Sequence, residues 1–198
     1  MNNKRKIRDT IRLIGSLLFM WLYIPHFICI IFYGRARRLI LSDVIGLKKQ
    51  ININLPTYIA ILYLLHNDRY YRKLFYYRIG PVLSLIVSWL RPGDKYFTIS
   101  YTTKIGKCFM MAHPYASMIN AESIGDNFYC IHGITIGKKN GKRPVIGNNV
   151  TIYANAIVIG DIHVGNNVII GASSVVLHNI PSHSIVAGNP AKVIKKLD

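Results

Sequence analysis

The fold is decided by residues 146–176, which read IGNNVTIYANAIVIGDIHVGNNVIIGASSVV. An aliphatic residue recurs there at every sixth position. The members of this column are Ile146, Ile152, Val158, Val164, Ile170 and Val176. An amphipathic helix needs apolar spacing near 3.6 and a half-buried strand a spacing of 2, so neither explains the period. A fixed longer period indicates a stacked repeat instead.

The positions after each aliphatic residue are rich in turn formers. Gly147-Asn148-Asn149 and Gly165-Asn166-Asn167 are two such corners, and both residue types tolerate positive φ at little cost. A further column holds small or branched side chains, as a narrow interior requires: Val150, Ala156, Ile162, Val168 and Ser174. Each six-residue unit therefore predicts one short strand plus one corner, in a coil of stacked strands.

Sequences of this kind resemble the hexapeptide-repeat acyltransferases, whose fold is a left-handed parallel β-helix with three six-residue units per turn. The handedness is implied by the resemblance. We therefore predict a mainly β protein, a left-handed parallel β-helix with an N-terminal apolar, basic α-helical region. The expected parts are a helical region at residues 1–95, a β-helix domain at 96–190 and a basic C-terminal tail at 191–198.

The formal net charge of +17 is concentrated in the front half of the 198-residue chain. Residues 1–95 carry 16 Lys and Arg against 4 Asp and Glu, whereas residues 96–198 carry 9 against 4. Basic residues interleaved with long apolar runs favour a membrane surface as partner. No nucleic-acid-binding motif accompanies them, so we expect no nucleic acid.

The run from Ile11 to Gly34 is almost entirely apolar, and basic residues flank it on both sides. Its length would permit a membrane span, which needs roughly 20 apolar residues. Basic flanks on both sides give no orientation under the positive-inside rule. We expect a helix broken near Pro25, with both ends on the cytoplasmic side and its arms dipping into one leaflet. A buried helix of a soluble protein is the alternative.

Residues 68–79 predict a helix that mixes aromatic and basic side chains and stops at Gly80. The mixture suits a membrane interface or a docking surface for another subunit. A helix packed on the end of the coil, with solvated basic residues, is an equal alternative.

The three cysteines, Cys29, Cys108 and Cys130, show no CxxC spacing, which argues against a disulfide framework or a zinc ribbon. Cys130 falls on the interior column and reads as a core residue. A metal site using Cys130 and His132 lacks a further ligand at diagnostic spacing, so we expect no metal.

Two irregularities interrupt the coil. Stepping back in sixes from Ile136 leads to Ala112, whereas stepping forward from Ile99 leads to Met111. We therefore predict a one-residue slip immediately before His113. The backward series includes Cys130, Ile124 and Met118. The second irregularity is a polar, basic loop at residues 138–144, and irregularities in a strict repeat are where function usually resides.

The segment Ile105-Gly-Lys-Cys-Phe-Met-Met-Ala-His113-Pro-Tyr-Ala-Ser-Met-Ile-Asn resembles the part of serine acetyltransferases and related sugar O-acetyltransferases that carries their catalytic histidine. Residues 144–152 and 186–192 resemble the later coils and the closing turn, so the likeness covers about residues 98–196. It implies that His113 is the general base that takes a proton from an attacking hydroxyl, a role suited to imidazole. A structural histidine is the alternative.

The chain departs from the serine acetyltransferase pattern at two positions. Thr98 stands where the family carries an Asp that orients the base, and Arg143 stands where it carries a second His. We expect Thr98, His132 and Arg143 to contact the acceptor or the base. Glu122 or Asp126 could replace the missing carboxylate, although the favoured interpretation is that both are ordinary corner residues.

The resemblance also implies acetyl-CoA as donor, bound in a groove between neighbouring subunits of a homotrimer. Ala154 and Ala172 would meet the pantetheine arm, His178 the ribose phosphate and Lys192 a phosphate. Small residues permit close approach of a backbone, and phosphates need cations.

We therefore predict a cytoplasmic acetyl-CoA-dependent O-acetyltransferase, peripheral at the inner face of the membrane. A small molecule or glycan is the acceptor, and a sugar hydroxyl of a surface polysaccharide or its precursor is favoured. L-serine, giving O-acetyl-L-serine for cysteine biosynthesis, is the alternative, although no helical domain of the serine acetyltransferase kind is recognisable. A non-catalytic scaffold is the alternative from another class.

Overall fold

A computed structural model describes residues 3–197 of the chain. The chain divides between Asp94 and Lys95 into two compact units, a helical unit and a β unit.

The helical unit contains six α-helices and one short 3-10 turn within the described residues. They are α1 (Asn3–Leu18), the 3-10 turn (Met20–Tyr23), α2 (Ile24–Phe32), α3 (Gly34–Ile51), α4 (Thr57–Asn67), α5 (Arg69–Ile79) and α6 (Pro81–Val87).

Helix α5 packs against α3, α4 and α6. Asp68 caps its N-terminus by accepting hydrogen bonds from the backbone N–H groups of Tyr70 and Tyr71 at 2.8 and 3.1 Å. Tyr71 and Phe75 are each only 1% exposed. The expectation that this helix forms a membrane interface or a docking surface is therefore wrong for Tyr71, Phe75 and Tyr76, which are buried, whereas Tyr70 and Tyr77 are half-buried.

Two of the basic side chains of α5, Arg72 and Arg78, are also buried, and they find internal partners. Arg78 makes a two-pronged ion pair with Asp43 of α3, with N–O distances of 2.8 and 3.0 Å, and both side chains are 1% exposed. Arg72 donates to the carbonyl oxygens of Leu65 and Pro92. The sequence alternative of solvated basic residues is therefore wrong for both arginines.

The apolar run near the N-terminus is broken, as predicted, but the break comes earlier than Pro25. The segments Lys6–Leu18 and Met20–Phe32 meet at a bend of 69°. Pro25 lies in the first turn of α2, where its missing N–H costs nothing. Among the described residues no single helix is long and apolar enough to cross a membrane, although this bent pair passes the same test when taken together.

The β unit contains fifteen short strands within the described residues. They are β1 (Phe97–Ile99), β2 (Lys104–Ile105), β3 (Met110–Met111), β4 (Ser117–Ile119), β5 (Ser123–Ile124), β6 (Tyr129–Cys130), β7 (Thr135–Gly137), β8 (Val145–Ile146), β9 (Thr151–Ile152), β10 (Ile157–Ile159), β11 (His163–Val164), β12 (Val168–Ile170), β13 (Val175–Val176), β14 (Ser184–Gly188) and β15 (Ala191–Lys196).

These strands form the three parallel faces of a triangular coil. Face 1 contains β1, β4, β7, β10 and β13, face 2 contains β2, β5, β8 and β11, and face 3 contains β3, β6, β9, β12 and β14. The chain passes from face 1 to face 2 to face 3 and then starts the next coil. We name the three corners the 1–2, 2–3 and 3–1 edges after the faces that they join.

The predicted aliphatic column is buried in the centre of the coil. On face 1, for example, Ile99, Ile119, Ile136, Val158 and Val176 stack through successive parallel pairings. The second column is buried as well, with Val150, Ala156 and Val168 each at 0% exposure. The six-residue interpretation of these strands is confirmed.

The 2–3 edge is a ladder of hydrogen bonds between side chains and backbone. Asp126, Asn148, Asn166 and Ser182 each accept a bond, at 2.7 to 2.9 Å, from a backbone N–H of the preceding coil. The next column is Asn127, Asn149, Asn167 and His183, and all four have positive φ and are linked side chain to side chain. Adjacent strands lie about 4.8 Å apart, so each corner can satisfy the one below it.

The coil ends at an antiparallel hairpin on face 3. Strand β15 pairs with β14 and has a register irregularity between Ile185 and Val186. It covers the otherwise unpaired edge of β14, which a parallel stack would leave open to further pairing.

The glycines of the 2–3 edge have no room for a side chain, which gives a first prediction. A Cβ on Gly147 would lie 2.6 Å from Asn166 Oδ1 and 2.8 Å from the Gly165 carbonyl oxygen. We expect Gly147→Ala to lower the free energy of unfolding by about 2 kcal/mol or more, since the neighbouring coil must move. Chemical denaturation followed by circular dichroism measures this. Gly34→Ala is the control, because nothing lies within 4 Å of its Cβ position, and an equal effect of both substitutions would contradict the prediction.

The buried ion pair of the helical unit gives a second prediction. We expect Asp43→Ala to destabilise this unit by about 3–5 kcal/mol, because it leaves the Arg78 guanidinium buried without its carboxylate. Asp9→Ala removes an exposed partner, whose carboxylate lies 3.7 Å from Arg8, and should cost about 0–1 kcal/mol. Thermal denaturation of the two variants side by side tests the difference, and similar melting curves would contradict it.

Candidate active site

His113 and Pro114 form a two-residue insertion in the coil at the 3–1 edge. Strand pairing aligns Met111 with Cys130, and the backbone N–H of Ala112 donates to the carbonyl oxygen of Cys130. After the insertion, the N–H of Gly133 donates to the carbonyl oxygen of Tyr115. These bonds leave His113 and Pro114 without counterparts in the next coil. His113 is exposed, whereas Pro114 is buried, so the insertion turns the histidine outward.

The predicted one-residue slip is confirmed as the net change in register. It is wrong about the cause, because two residues are inserted in one step and one is missing from the next. The step from Met111 to Ile119 is eight residues instead of six, and the next step, from Ile119 to Ile124, is five. Ala112 and Met118, which the sequence placed on the interior column, leave it as a result. Met118 points outward and is 46% exposed, and Ile119 takes the interior position at 0%.

The insertion presents the His113 ring to solvent. His113 is exposed and has a φ of 49°, and Ala116 has a φ of 53°. Ala116 shares its positive φ with the corresponding corner residue of the next coil, Gly133, whereas the positive φ of His113 belongs to the insertion. The backbone N–H of Tyr115 donates to the His113 carbonyl oxygen at 2.6 Å and tightens the turn. Within residues 3–197 the imidazole itself has no hydrogen-bond or ion-pair partner.

Three other predicted residues lie along the same 3–1 edge. The backbone bonds from Asn155 to His132 and from Ser173 to Ala154 align His132, Ala154 and Ala172 in one column, one coil apart. His132 lies in the coil next to the insertion. Lys192 belongs to the closing hairpin and pairs with Ala187, near the end of this edge. The structure thus brings His113, His132, the two alanines and Lys192 to one side of the β unit.

Exposed aromatic and apolar side chains border the insertion. The rings of Tyr96 and Tyr115 meet edge to face with centroids 5.3 Å apart, and both residues are about half exposed. Met118 and Tyr153 are 46% and 41% exposed. The sequence reasoning missed the apolar side chains near the insertion, because only the ring contact and the strand pairing place Tyr96, Tyr115 and Met118 there. Tyr153 lies two coils further along the same edge.

Thr98 lies on face 1, where it points outward and pairs with Met118 in the next coil. Its hydroxyl makes no hydrogen bond with His113 among the described residues. Among residues 3–197 of one chain, the inserted histidine therefore has neither the threonine nor a carboxylate as an orienting partner.

The two candidate carboxylates are engaged at other corners. Glu122 accepts a hydrogen bond from Arg143 at the 1–2 edge, and Arg143 also donates to the Thr102 hydroxyl at 2.6 Å. Asp126 belongs to the ladder of the 2–3 edge and accepts from the backbone N–H of Lys107 at 2.7 Å. Both carboxylates are corner residues, as the favoured interpretation held.

The loop at residues 138–144 is anchored along the 1–2 edge. Lys142 forms an ion pair with Asp161, and this hydrogen bond raises the pKa of Lys142. A short turn through Asn140 and Gly141 closes the loop, and Lys139 and Lys142 exchange backbone hydrogen bonds across it. His178 also lies on the 1–2 edge, two residues after β13. Arg143 and His178 are therefore on a different edge from His113 in the same chain.

Cys130 is an interior residue with 0% exposure, and burial raises the pKa of its thiol. His132, two positions later, is exposed at the 3–1 edge. Among residues 3–197 no group of three His, Cys, Asp or Glu side chains is arranged to hold a metal ion.

Comparison with known families and proteins agrees with the repeat. The model of the bacterial transferase hexapeptide (six repeats) matches residues 143–178. A putative colanic acid biosynthesis acetyltransferase of Escherichia coli K12, WcaB, is 43% identical over 101 residues, which cover 49% of this chain and 62% of that protein. A serine acetyltransferase of Staphylococcus aureus is 45% identical over 98 residues, covering 47% of this chain and 46% of its own length. The chain thus spans less than two thirds of the curated relatives that it matches.

Solved structures of serine acetyltransferases share the fold. The Neisseria gonorrhoeae protein superposes with a TM-score of 0.68 at 22% identity, covering 83% of this chain and 68% of that one. A serine acetyltransferase in complex with CoA gives a TM-score of 0.66 at 22% identity, covering 82% and 71%. The predicted left-handed parallel β-helix is confirmed by this likeness. Together the matches fit a hexapeptide-repeat acetyltransferase.

The likeness in fold extends beyond the β unit. Residues from Lys95 onward make up little more than half of the chain, whereas the Neisseria structure covers 83% of it. Part of the helical unit therefore has a counterpart in the serine acetyltransferase fold. The sequence motifs of the helical unit did not indicate a serine acetyltransferase domain, but its fold is partly shared with these proteins.

Proposed function

We propose that this protein is an O-acetyltransferase that moves an acetyl group from acetyl-CoA to a hydroxyl, with His113 as general base. The observation that carries the proposal is the His113–Pro114 insertion, which holds an exposed imidazole at the one irregular corner of the 3–1 edge. The named acetyltransferase relatives support the reaction class.

The reaction needs one proton acceptor. The acceptor hydroxyl attacks the thioester carbon and gives its proton to the imidazole of His113. The carbon–sulfur bond then breaks, and the departing CoA sulfur takes up the proton. The products are the acetyl ester and CoA, and His113 returns to its starting state. General base catalysis of this kind typically contributes about 100- to 10,000-fold in rate.

The donor runs along the 3–1 edge in this proposal. The small side chains of Ala154 and Ala172 stand one coil apart there, so an extended pantetheine arm can approach the backbone closely. Lys192 supplies a cation near the end of the same edge for a CoA phosphate. A solved relative of the same fold binds CoA.

A complete site requires more than one copy of the chain. His113 lies on the 3–1 edge and Arg143 and His178 lie on the 1–2 edge, so one chain alone cannot bring them together. We propose a homotrimer in which the 1–2 edge of one copy faces the 3–1 edge of the next. The exposed apolar side chains of Tyr96, Tyr115 and Met118 would then be covered by the neighbouring copy or by the acceptor.

A sugar hydroxyl of a surface polysaccharide or its precursor is the acceptor that we favour. The relative named for colanic acid biosynthesis supports it. The 3–1 edge also lacks a carboxylate among the described residues, which departs from the serine acetyltransferase pattern, since Asp126 and Glu122 lie on other edges. L-serine is the second candidate, favoured by the 45% identity to the Staphylococcus serine acetyltransferase. We place the reaction in the cytoplasm at the inner face of the membrane, where a lipid-linked sugar would be presented.

Replacement of the proposed base gives a third prediction. We expect His113→Asn to lower kcat by about 100- to 10,000-fold without changing the melting temperature, because the side chain is exposed and unpaired. Thiol release from acetyl-CoA, with L-serine and a panel of sugars as acceptors, measures it. His163→Asn is the matched control, since His163 is exposed on face 2, away from the 3–1 edge.

The outcomes of this assay separate the alternatives. Turnover with L-serine and with none of the sugars would show that serine is the acceptor and that the favoured sugar is not. A His113→Asn variant that retains full turnover would remove the histidine from the mechanism. No thiol release from the native protein with any acceptor would favour the non-catalytic scaffold.

The donor site gives a fourth prediction. We expect Lys192→Gln to raise KM for acetyl-CoA by about tenfold with little change in kcat, since it removes one charge-assisted phosphate contact. Lys107→Gln, an exposed cation of the 2–3 edge, is the control and should leave KM unchanged. Steady-state kinetics at saturating acceptor give both constants, and equal values for the two variants would contradict the assignment.

A further inference from the structure

The helical unit exposes an unusually large set of apolar side chains. We call it the apolar surface, and it consists of exposed large side chains of α1, the 3-10 turn, α2 and α6, together with Phe19 and Trp89 beside them. Its members are Ile7, Ile11, Ile14, Leu17, Leu18, Phe19, Met20, Trp21, Ile24, Ile28, Ile31, Phe32, Val82, Leu85, Ile86 and Trp89, each between 45% and 79% exposed. Soluble monomeric proteins seldom expose so many large apolar side chains on neighbouring elements.

The helices of this surface have two distinct apolar faces. On α2, Ile24, Ile28 and Ile31 recur at helical spacing and are exposed, while Cys29 and Ile30 on the other face are buried. On α6 the exposed residues Val82, Leu85 and Ile86 follow the same rule, and the exposed Trp89 comes just after the end of the helix. Each helix therefore has one face that serves the unit's own core and a second apolar face without a partner in the described chain.

The elements of the surface are contiguous. Helix α2 packs against α6, and the 3-10 turn packs against both α1 and α2. The exposed faces are therefore parts of one neighbourhood and not isolated side chains, which would need no explanation. The 69° bend between α1 and the segment that follows keeps the two arms from lying along one line across a bilayer.

Positive charge frames the broken helix pair at both of its ends. Lys6 and Arg8 lie at one end, and Arg35, Arg37 and Arg38 follow α2 at the other, all exposed. Asp9 is the one acidic residue among residues 6–42. If a second copy covered this surface, its basic groups would be brought against like charges, which is unfavourable. Anionic lipid headgroups complement the same groups and attract each Lys or Arg near the surface.

Both tryptophans of the chain lie on this surface. Trp21 is 62% exposed and Trp89 is 76% exposed. Tryptophan is enriched where a protein meets the boundary between headgroups and hydrocarbon, because its ring is apolar and its N–H is polar. Exposed tryptophans combined with flanking cations favour a lipid interface over a protein partner.

We propose that the apolar surface binds the surface of an anionic membrane, with the bent pair and α6 inserted into one leaflet and the flanking arginines among the headgroups. The inference rests on the membrane location proposed above and is independent of acetyl transfer, so the two can fail separately. It specifies the contacting elements, the lipid class and a shallow insertion on one side of the bilayer.

The tryptophans provide the test of this inference, which is the fifth prediction. The full chain, freed of detergent, is titrated with vesicles of phosphatidylcholine alone and of phosphatidylcholine with phosphatidylglycerol. We expect a blue shift of the tryptophan emission with the anionic vesicles, and quenching by lipids brominated near the headgroup end of their chains. Raising the salt concentration should weaken binding. Absence of binding to anionic vesicles overturns the proposal.

Matched variants locate the contact. Leu85→Glu places a carboxylate in the apolar surface at a position that is 79% exposed, and should weaken vesicle binding by at least about tenfold. Ile194→Glu makes the same kind of change in the β unit, at 65% exposure, and should have no effect. The double change Arg35→Gln and Arg38→Gln should weaken binding about thirtyfold at low salt, whereas Lys104→Gln with Lys107→Gln should not.

Two further measurements separate the competing outcomes. If Leu85→Glu abolishes self-association in analytical ultracentrifugation without lipid, while the native chain ignores vesicles, the surface belongs to a second copy and the proposal is wrong. Thiol release with a soluble acceptor is measured on the same variants and should stay at the native rate. A loss of vesicle binding with full turnover supports the inference, and an inactive protein that still binds vesicles overturns the proposed reaction alone.

Discussion

Hydrogen bonding between successive coils is the constraint on which the β unit depends. Parallel strands stacked about 4.8 Å apart leave little space at each corner, and every backbone amide there still needs a partner. At the 2–3 edge the partner is a side-chain oxygen from the next coil, such as Asn148 above Asp126 or Asn166 above Asn148. Two neighbours allow this hydrogen bond. At Asn148, for example, they are Gly125 in the coil below, which has no side chain in the way, and Asn149, which turns the chain with a positive φ.

A coil built this way absorbs changes of length poorly, so extra residues are pushed outward. Two insertions illustrate it on two edges. The His113–Pro114 insertion turns the histidine outward at the 3–1 edge, and residues 138–144 project from the 1–2 edge, where Arg143 and Lys142 fasten them to neighbouring coils. The interior columns continue past both insertions in register. The same regularity that stabilises the coil thus displays the proposed base and the loop, and their separation on two edges is why the proposed site needs a second copy.

The helical unit is built around buried charged and aromatic side chains. Its centre is polar for a core, with the Asp43–Arg78 ion pair and the Arg72 guanidinium buried around α5. Burial, helped by the charge of Arg72, lowers the pKa of His26 to about 4, so that this histidine is neutral where it meets the Tyr76 hydroxyl. The aromatic residues of α5 fill this core. The aliphatic faces of α1, α2 and α6 are exposed instead. The sequence had suggested that the aromatic and basic residues of α5 would form the exposed surface.

The sequence by itself determined that the β unit is a coil of stacked six-residue units, because a period of six fits neither a helix nor a flat strand, whereas the hand of the coil was implied by the resemblance to a known family. It also singled out His113 through the disagreement between two registers. It also predicted a break in the N-terminal apolar run, although near Pro25, whereas the bend lies between Leu18 and Met20. Tertiary structure alone decided the rest. Only strand pairing shows that His113 and Pro114 are inserted together, that Ile119 replaces Met118 in the interior, and that Glu122 and Asp126 serve other corners. The physical reason is that periodicity fixes which side chains point inward, whereas neighbours across coils and helices depend on contacts far apart in the chain.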